Sequence, residues 1–190
     1  MIALMKFTET ALPGVLFVDL DVISDERGYF MESMRVEQLQ AVGIDRPFLQ
    51  ENQSRSQRGT LRGLHFQLRQ PQAKLCRVIS GEVLDVAVDI RTGSPTFGQH
   101  VSVILSAENK RQIYIPRDFA HGFVVLSEHA EFLYKCDDYY DAGDQHGVAW
   151  DDPTLGIDWK LTSGFILSNK DLNNPNLTGL STADLPTYRG

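Results

Sequence analysis

The chain has 190 residues, one ordinary domain's worth, and at that size about 70% of the unfolded surface can be buried in a core. Hydrophobic residues make up 42% and charged residues 23%, which excludes a disordered or collagen-like chain. The net charge of −7, from 25 acidic and 18 basic residues, argues against a nucleic-acid partner but permits a local basic pocket for an anionic small molecule.

The start, MIALMKFTET, has a short apolar stretch and no small-residue cleavage pattern, so no signal peptide is expected. No stretch approaches the roughly eighteen apolar residues of a membrane helix. A cytoplasmic protein without a membrane partner is expected. Cys76 and Cys136 each sit in an apolar, strand-like segment and read as reduced, half-buried thiols, too few for a zinc site alone.

Taken in order, residues 15–23 (VLFVDLDVI) are apolar and β-branched and predict a strand. Residues 34–42 (MRVEQLQAV) predict a helix closed by Gly43 as C-cap. Residues 74–79 and 82–90 flank Ser80-Gly81, which reads as a hairpin turn. Residues 100–105 alternate apolar and polar, a short turn is expected over 106–109, and strands follow at 112–115, 122–126 and 131–135. The tail from Asn173 is turn-rich and reads as a surface segment. Short strands punctuated by Gly, Pro and Asp predict an all-β sandwich or barrel.

Three segments carry more polar function than strand building needs: 50–67 (QENQSRSQRGTLRGLHFQ), 115–123 (IPRDFAHGF) and 168–171 (SNKD). Histidine suits proton transfer near neutral pH, yet His65, beside Leu64 and Phe66, also reads as a satisfied core residue. Strand alternation puts Arg62, Leu64 and Phe66 on one face and Leu61, Gly63, His65 and Gln67 on the other.

Longer blocks carry a resemblance. GTLRGLHFQ at 59–67, QAKLCRVISGEVLDVAVDIRTGSPTFG at 72–98, IPRDFAHGF at 115–123 and AEFLYKCDDYY at 130–140 resemble the dTDP-4-dehydrorhamnose 3,5-epimerases. DERGYFMES at 25–33, QENQSRS at 50–56, WDDP at 150–153 and SNKD at 168–171 fit the same pattern, so the resemblance runs from about residue 12 to 175. It implies an all-β cupin jelly roll with a few short helices, one domain over 1–190, and an irregular tail from about 172. It also implies a homodimer that exchanges N-terminal strands, for which residues 15–23 are the candidate.

The implied activity is epimerisation at C3 and C5 of dTDP-4-keto-6-deoxyglucose, giving dTDP-4-dehydro-L-rhamnose, with no cofactor and no metal. The residues bear independently on the metal. His65 and His121 with Gln67 and Lys74 form a poor divalent cage, because an amide and a cation stand where anionic ligands are needed. By resemblance His65 is the base, Asp171 its partner, Tyr134 the proton donor and Lys74 the charge at the O4 oxyanion. On residues alone Asp171 reads as a turn or cap, Tyr134 as a core aromatic and Lys74 as an exposed strand-start lysine.

By resemblance Arg27, Glu32, Gln50, Asn52, Arg62, His121 and Lys170 contact substrate, with Arg27 and Arg62 suited to a diphosphate. Phe30 and Tyr140 offer stacking surfaces or core packing. Gln145 stands where the family usually has glutamate, keeping the shape without the charge, and Cys76 replaces a usual valine. The alternatives are a single 3- or 5-epimerase on another keto-deoxysugar, a non-catalytic nucleotide-sugar-binding cupin, and a metal-dependent oxygenase.

Overall fold

The computed structural model describes residues 4–189, so the ends of the expected 1–190 domain lie outside the described residues. Thirteen strands form among them. These are β1 (Met5–Glu9), β2 (Leu16–Leu20), β3 (Val22–Asp25), β4 (Gly28–Met31), β5 (Gln50–Gln57), β6 (Leu61–Gln67) and β7 (Lys74–Ser80). They continue with β8 (Glu82–Asp89), β9 (His100–Ser106), β10 (Gln112–Ile115), β11 (Phe119–Val125), β12 (His129–Cys136) and β13 (Gln145–Gly147). Two short α-helices, α1 (Val36–Gln40) and α2 (Asn169–Leu172), accompany them.

The first sheet has the order β1-β2-β10-β7-β12-β5 and the second β13-β6-β11-β8-β9. From β5 on, successive strands fall in opposite sheets, except at the β8–β9 hairpin and its long loop. This is the jelly roll of the cupin type. Side chains alternate along each strand, so every strand gives one row to the space between the sheets and one to the outside. Cys76, Val78, Val83, Leu105, Ile113 and Phe132 fill the interlayer. Leu84, Val86 and Val88, pointing the other way from β8, are covered by Leu155, Trp159, Leu177 and Leu185. The tail therefore seals an outer core, beyond the surface role read from its turn residues.

The Ser80-Gly81 pair is not a hairpin. It is a corner between sheets: β7 already pairs with β10 and β12, and β8 with β11 and β9, so neither has a free side for the other. Gly81 has φ +77, and a Cβ there would meet the His129 carbonyl oxygen at 1.9 Å. Both a hairpin and a corner need such a glycine, which is why the local signal misled.

The expected strand over 15–23 divides. β2 is interior, flanked by β1 and β10, while β3 pairs only with β4 in a separate hairpin. The edge strands of the first sheet are β1 and β5, not residues 15–23. The expected helix shortens to α1, followed by Gly43 at φ +83, and buries Leu39. Both cysteines are free and fully buried, where half-buried thiols were expected.

The long β8–β9 loop hangs on Asp89, a fully buried carboxylate. It accepts from Arg91 N (3.0 Å), Nε (2.9 Å) and Nη2 (2.7 Å), and from the Ser94 and Thr96 hydroxyls (2.6 Å each). Burial alone would raise its pKa; these donors overcome that and hold it at about 2. A carboxyl held below its unfolded value stabilises the fold above about pH 4 and loses that contribution as pH falls towards about 2. The contribution is of order 2 kcal/mol. In urea unfolding, Asp89→Asn should be less stable at pH 7 and show a smaller loss across that window. An equal loss in both proteins would remove Asp89 as its source.

Candidate active site

One end of the interlayer is left open as a cavity of about 460 Å³, within the range of small-molecule sites. The first sheet supplies Gln50, Asn52 and Ser54 from β5, Lys74 from β7, and Phe132 and Tyr134 from β12. The second sheet supplies Arg62, His65 and Gln67 from β6, His121 and Phe123 from β11, and Gln145 from β13. Tyr140, Ser168, Lys170 and Asp171 also line it.

The faces of β6 differ from the simple alternation expected. Between β6 and β11 the register shifts: His121 pairs with His65, but Phe123 pairs with Arg62, leaving an extra residue on β6. That bulge resets the alternation. Leu61, Leu64 and Phe66 join the outer core, while Arg62, His65 and Gln67 line the cavity together.

His65 Nε2 lies 2.5 Å from Asp171 Oδ1. Asp171 reaches it from α2, whose N-cap Ser168 accepts the Asp171 N–H at 3.1 Å. Burial works to raise the Asp171 carboxyl, but hydrogen bonds from His65, the Ser168 hydroxyl and the Gly63 N–H hold it below the ordinary carboxylate range. An ionised carboxylate makes Nε2 the donor, which leaves the lone pair on Nδ1.

On the opposite sheet, burial pushes the Tyr134 phenol up to about 12, so it stays protonated and can donate. Lys74 forms no hydrogen bond or ion pair among the described residues, which leaves its ammonium available to a developing anion. At the rim, Gln145 Oε1 accepts from Tyr140 OH at 2.6 Å and from Lys170 Nζ at 3.1 Å. Gln50 joins this rim, accepting the Tyr140 N–H at 3.0 Å and donating to Asn52 Oδ1 at 3.0 Å. Because Gln145 is neutral, Lys170 keeps its charge uncompensated.

Three of the expected substrate contacts lie elsewhere. Arg27 and Phe30 belong to the exposed β3–β4 hairpin, and Glu32 follows it, bound to Arg35 at 2.5 Å. The Arg27 side chain is 86% exposed and pairs with Asp25, and Phe30 is 69% exposed. The hairpin pairs with neither main sheet, so the chain does not bring these residues to its own cavity.

The sequence reading missed Ser168, whose signal was the Ser-x-x-Asp spacing ahead of a helix. It also missed Asp85, fully buried and bonded to His121 Nε2 at 2.9 and 3.0 Å. Its signal was a lone acid inside the apolar run VLDVAV. Gln67 proves to be a scaffold group, donating to the Gln70 carbonyl at 2.6 Å and accepting the Asp141 N–H at 2.9 Å.

A sequence model of the family described as dTDP-4-dehydrorhamnose 3,5-epimerase matches residues 9–179. The chain is 54% identical, over 88% of its length and 93% of the relative's, to the dTDP-4-dehydrorhamnose 3,5-epimerase of Pseudomonas aeruginosa. Its fold is similar to that of a dTDP-6-deoxy-D-glucose-3,5-epimerase from Legionella pneumophila, solved in complex with dTDP-4-keto-L-rhamnose. That match has a TM-score of 0.96 and 48% identity, and covers 98% of this chain and 100% of the other. A 3'-monoepimerase from Streptomyces bikiniensis, solved with dTDP-quinovose, matches with a TM-score of 0.88 at 37% identity, covering 94% of this chain and 92% of that one.

Removing the α2 cap should weaken the support of Asp171. Ser168→Ala is expected to lower stability by about 1 kcal/mol, and Ser168→Gly by less, in denaturant unfolding. Equal stability of all three proteins would show that the cap does not hold α2.

Proposed function

The chain belongs to the dTDP-4-dehydrorhamnose 3,5-epimerase family, and on that premise we propose that it inverts C3 and C5 of dTDP-4-keto-6-deoxyglucose, giving dTDP-4-dehydro-L-rhamnose. One observation carries the reading: an oriented histidine and a protonated tyrosine face one cavity from opposite sheets, with an unpaired lysine on its wall. Inversion beside a ketone needs just this, a base on one face, an acid on the other and a cation for the enolate oxygen.

In this reading His65 Nδ1 takes the proton at C5 or C3, and the electron pair moves into the C4 ketone as an enolate. Lys74 stabilises the oxygen that gains the charge. Tyr134 returns a proton to the opposite face, which inverts the centre. Asp171 is a positioning residue that holds the His65 tautomer and steadies the imidazolium. Arg62, His121, Lys170, Gln50, Asn52, Tyr140 and Gln145 bind the nucleotide sugar, and the cationic members offset an acidic chain locally. The chemistry is proton transfer throughout and asks for no cofactor or metal.

Arg27, Phe30 and Glu32 keep a place in this scheme through a homodimer. A hairpin that exposes Val22, Ile23, Tyr29 and Phe30 is suited to cover a second subunit's cavity and deliver Arg27 to its diphosphate. No helix among the described residues is long and apolar enough to cross a membrane, and a biosynthetic enzyme of the cytoplasm fits that.

The decisive experiment is NMR of dTDP-4-keto-6-deoxyglucose in D₂O. Deuterium should enter at both C3 and C5, and His65→Ala should abolish entry at both. Entry at one centre would make this a monoepimerase; no exchange would make it a binding protein. Tyr134→Phe should keep exchanging with retention while inversion slows about 10²–10⁴-fold. Gln145→Glu should pair with Lys170 and raise KM with little change in kcat; a lower kcat at unchanged KM would place Gln145 in the chemistry. If the hairpin serves the partner, mixing inactive Arg27→Ala and His65→Ala proteins should restore activity, to about a quarter by random pairing in a two-fold dimer. No recovery would confine each site to one chain.

A further inference from the structure

Beneath the cavity lies a second cluster that the proton chemistry uses only in part. One donor atom each from Cys76, Asp85 and His121 lies within 4.8 Å of the others, and all three side chains are buried. We propose that these three residues form a binding site for a divalent cation of the zinc type, and that its occupancy inhibits the protein by tying down His121. The binding half stands on the cluster alone; the inhibitory half rests on the function proposed above.

The placement follows from the fold. Asp85 on β8 and His121 on β11 face inward from the second sheet, and Cys76 on β7 faces inward from the first. The trio therefore bridges the two layers. His121 also lines the cavity, which gives an ion a route in and a source of a water ligand.

Asp85 stands apart among the buried acids. Asp89 accepts from five donor groups. Asp144 accepts from Arg69 N, Arg69 Nε and Gln70 N. Asp152 takes the Thr154 N–H, the Thr154 hydroxyl and the Leu177 N–H. Asp85 is as completely buried, yet among the described residues both its oxygens share the single donor His121 Nε2, at 2.9 and 3.0 Å. A buried carboxylate has about four acceptor positions, so this one retains unused capacity in a dry setting.

The donor chemistry selects the ion. Sulfur, nitrogen and oxygen in one set suit a borderline-soft cation and not Mg²⁺ or Ca²⁺, which take oxygen ligands. Zinc bond lengths put ligand atoms about 3.3–3.8 Å apart in a tetrahedron, which the Asp85–His121 contact already approaches and which the thiol reaches by a small shift. Charge closes as well. Binding expels the Cys76 thiol proton to solvent and forms the metal–sulfur bond with no change of oxidation state; His121 passes its Nε2 proton to solvent and takes one at Nδ1, so the neutral ring turns a lone pair from Asp85 to the ion. Thiolate and carboxylate then offset the two positive charges, as a buried ion requires.

This set differs from the His65, His121, Gln67 and Lys74 group weighed from the sequence. That group lacks anionic donors and remains a poor cage. The trio has two anionic donors, one of them from a cysteine that reads in sequence as a small apolar residue.

The test uses Co²⁺ as a spectroscopic stand-in for Zn²⁺, added to the whole chelator-treated protein and left to equilibrate. Wild type and Cys136→Ala should develop the near-ultraviolet thiolate-to-cobalt charge-transfer band. Cys76→Val, nearly isosteric, should lose it and bind more weakly by more than the roughly 10–100-fold effect of an outer-shell loss. Asp85→Asn should also bind more weakly. Zn²⁺ should raise the melting temperature of wild type and inhibit its epimerisation, and should do neither in Cys76→Val, whose metal-free activity is retained. No band in wild type, or a band that survives Cys76→Val, overturns the site. A band without epimerase activity in the metal-free protein would instead overturn the proposed function and leave the metal site standing.

Discussion

Strands β6 and β11 run so close at Gly63 and Gly122 that neither position has room for a side chain. A Cβ on Gly63 would meet Gly122 Cα at 2.6 Å, and one on Gly122 would meet the Arg62 carbonyl oxygen at 2.7 Å. Gly63 also has φ +127, which L side chains rarely adopt. At this contact the register slips by one residue. Without the slip, alternation would send Arg62 to the outer core and leave His65 without a cationic neighbour on its own strand face. With it, Arg62, His65 and Gln67 share the cavity, and His65 sits directly opposite His121.

The rest of the site is built by burying polar groups and giving some, but not all, a defined partner. Asp171 is held ionised by His65, Ser168 and Gly63, so the histidine has a fixed tautomer. Tyr134 lies across the interlayer where burial keeps its phenol protonated. Lys74 is left unpaired. The contrast between satisfied acids, an underserved Asp85 and an unpaired lysine is what distinguishes a working cavity from a packed core, since a purely structural interlayer leaves few such groups unsatisfied.

Much of this was legible residue by residue. Strands at 74–80, 82–89, 100–106 and 112–115 follow from apolar alternation and β-branched content, and the helix before Gly43 from its spacing and cap. The site residues were legible only through the family resemblance, and eleven of the fourteen it implied line one cavity: His65, Lys74, Tyr134, Asp171, Gln50, Asn52, Arg62, His121, Tyr140, Gln145 and Lys170. Three features were not legible. A Ser-Gly pair cannot say whether the chain doubles back or changes sheet. A period of two cannot reveal where it is interrupted. A hairpin such as β3–β4 carries no local sign of whether its aromatic face serves its own chain or another.

By itself the sequence determined the fold class and the chemical types present, because alternation, turn residues and long ordered motifs are local and survive without coordinates. Which side chains meet was decided only by the tertiary structure. His65 and Asp171 are 106 positions apart, and Cys76, Asp85 and His121 come from three strands in two sheets. Such contacts depend on which strands share a sheet and on which face each residue emerges. One extra residue at a bulge is enough to reverse the second of these.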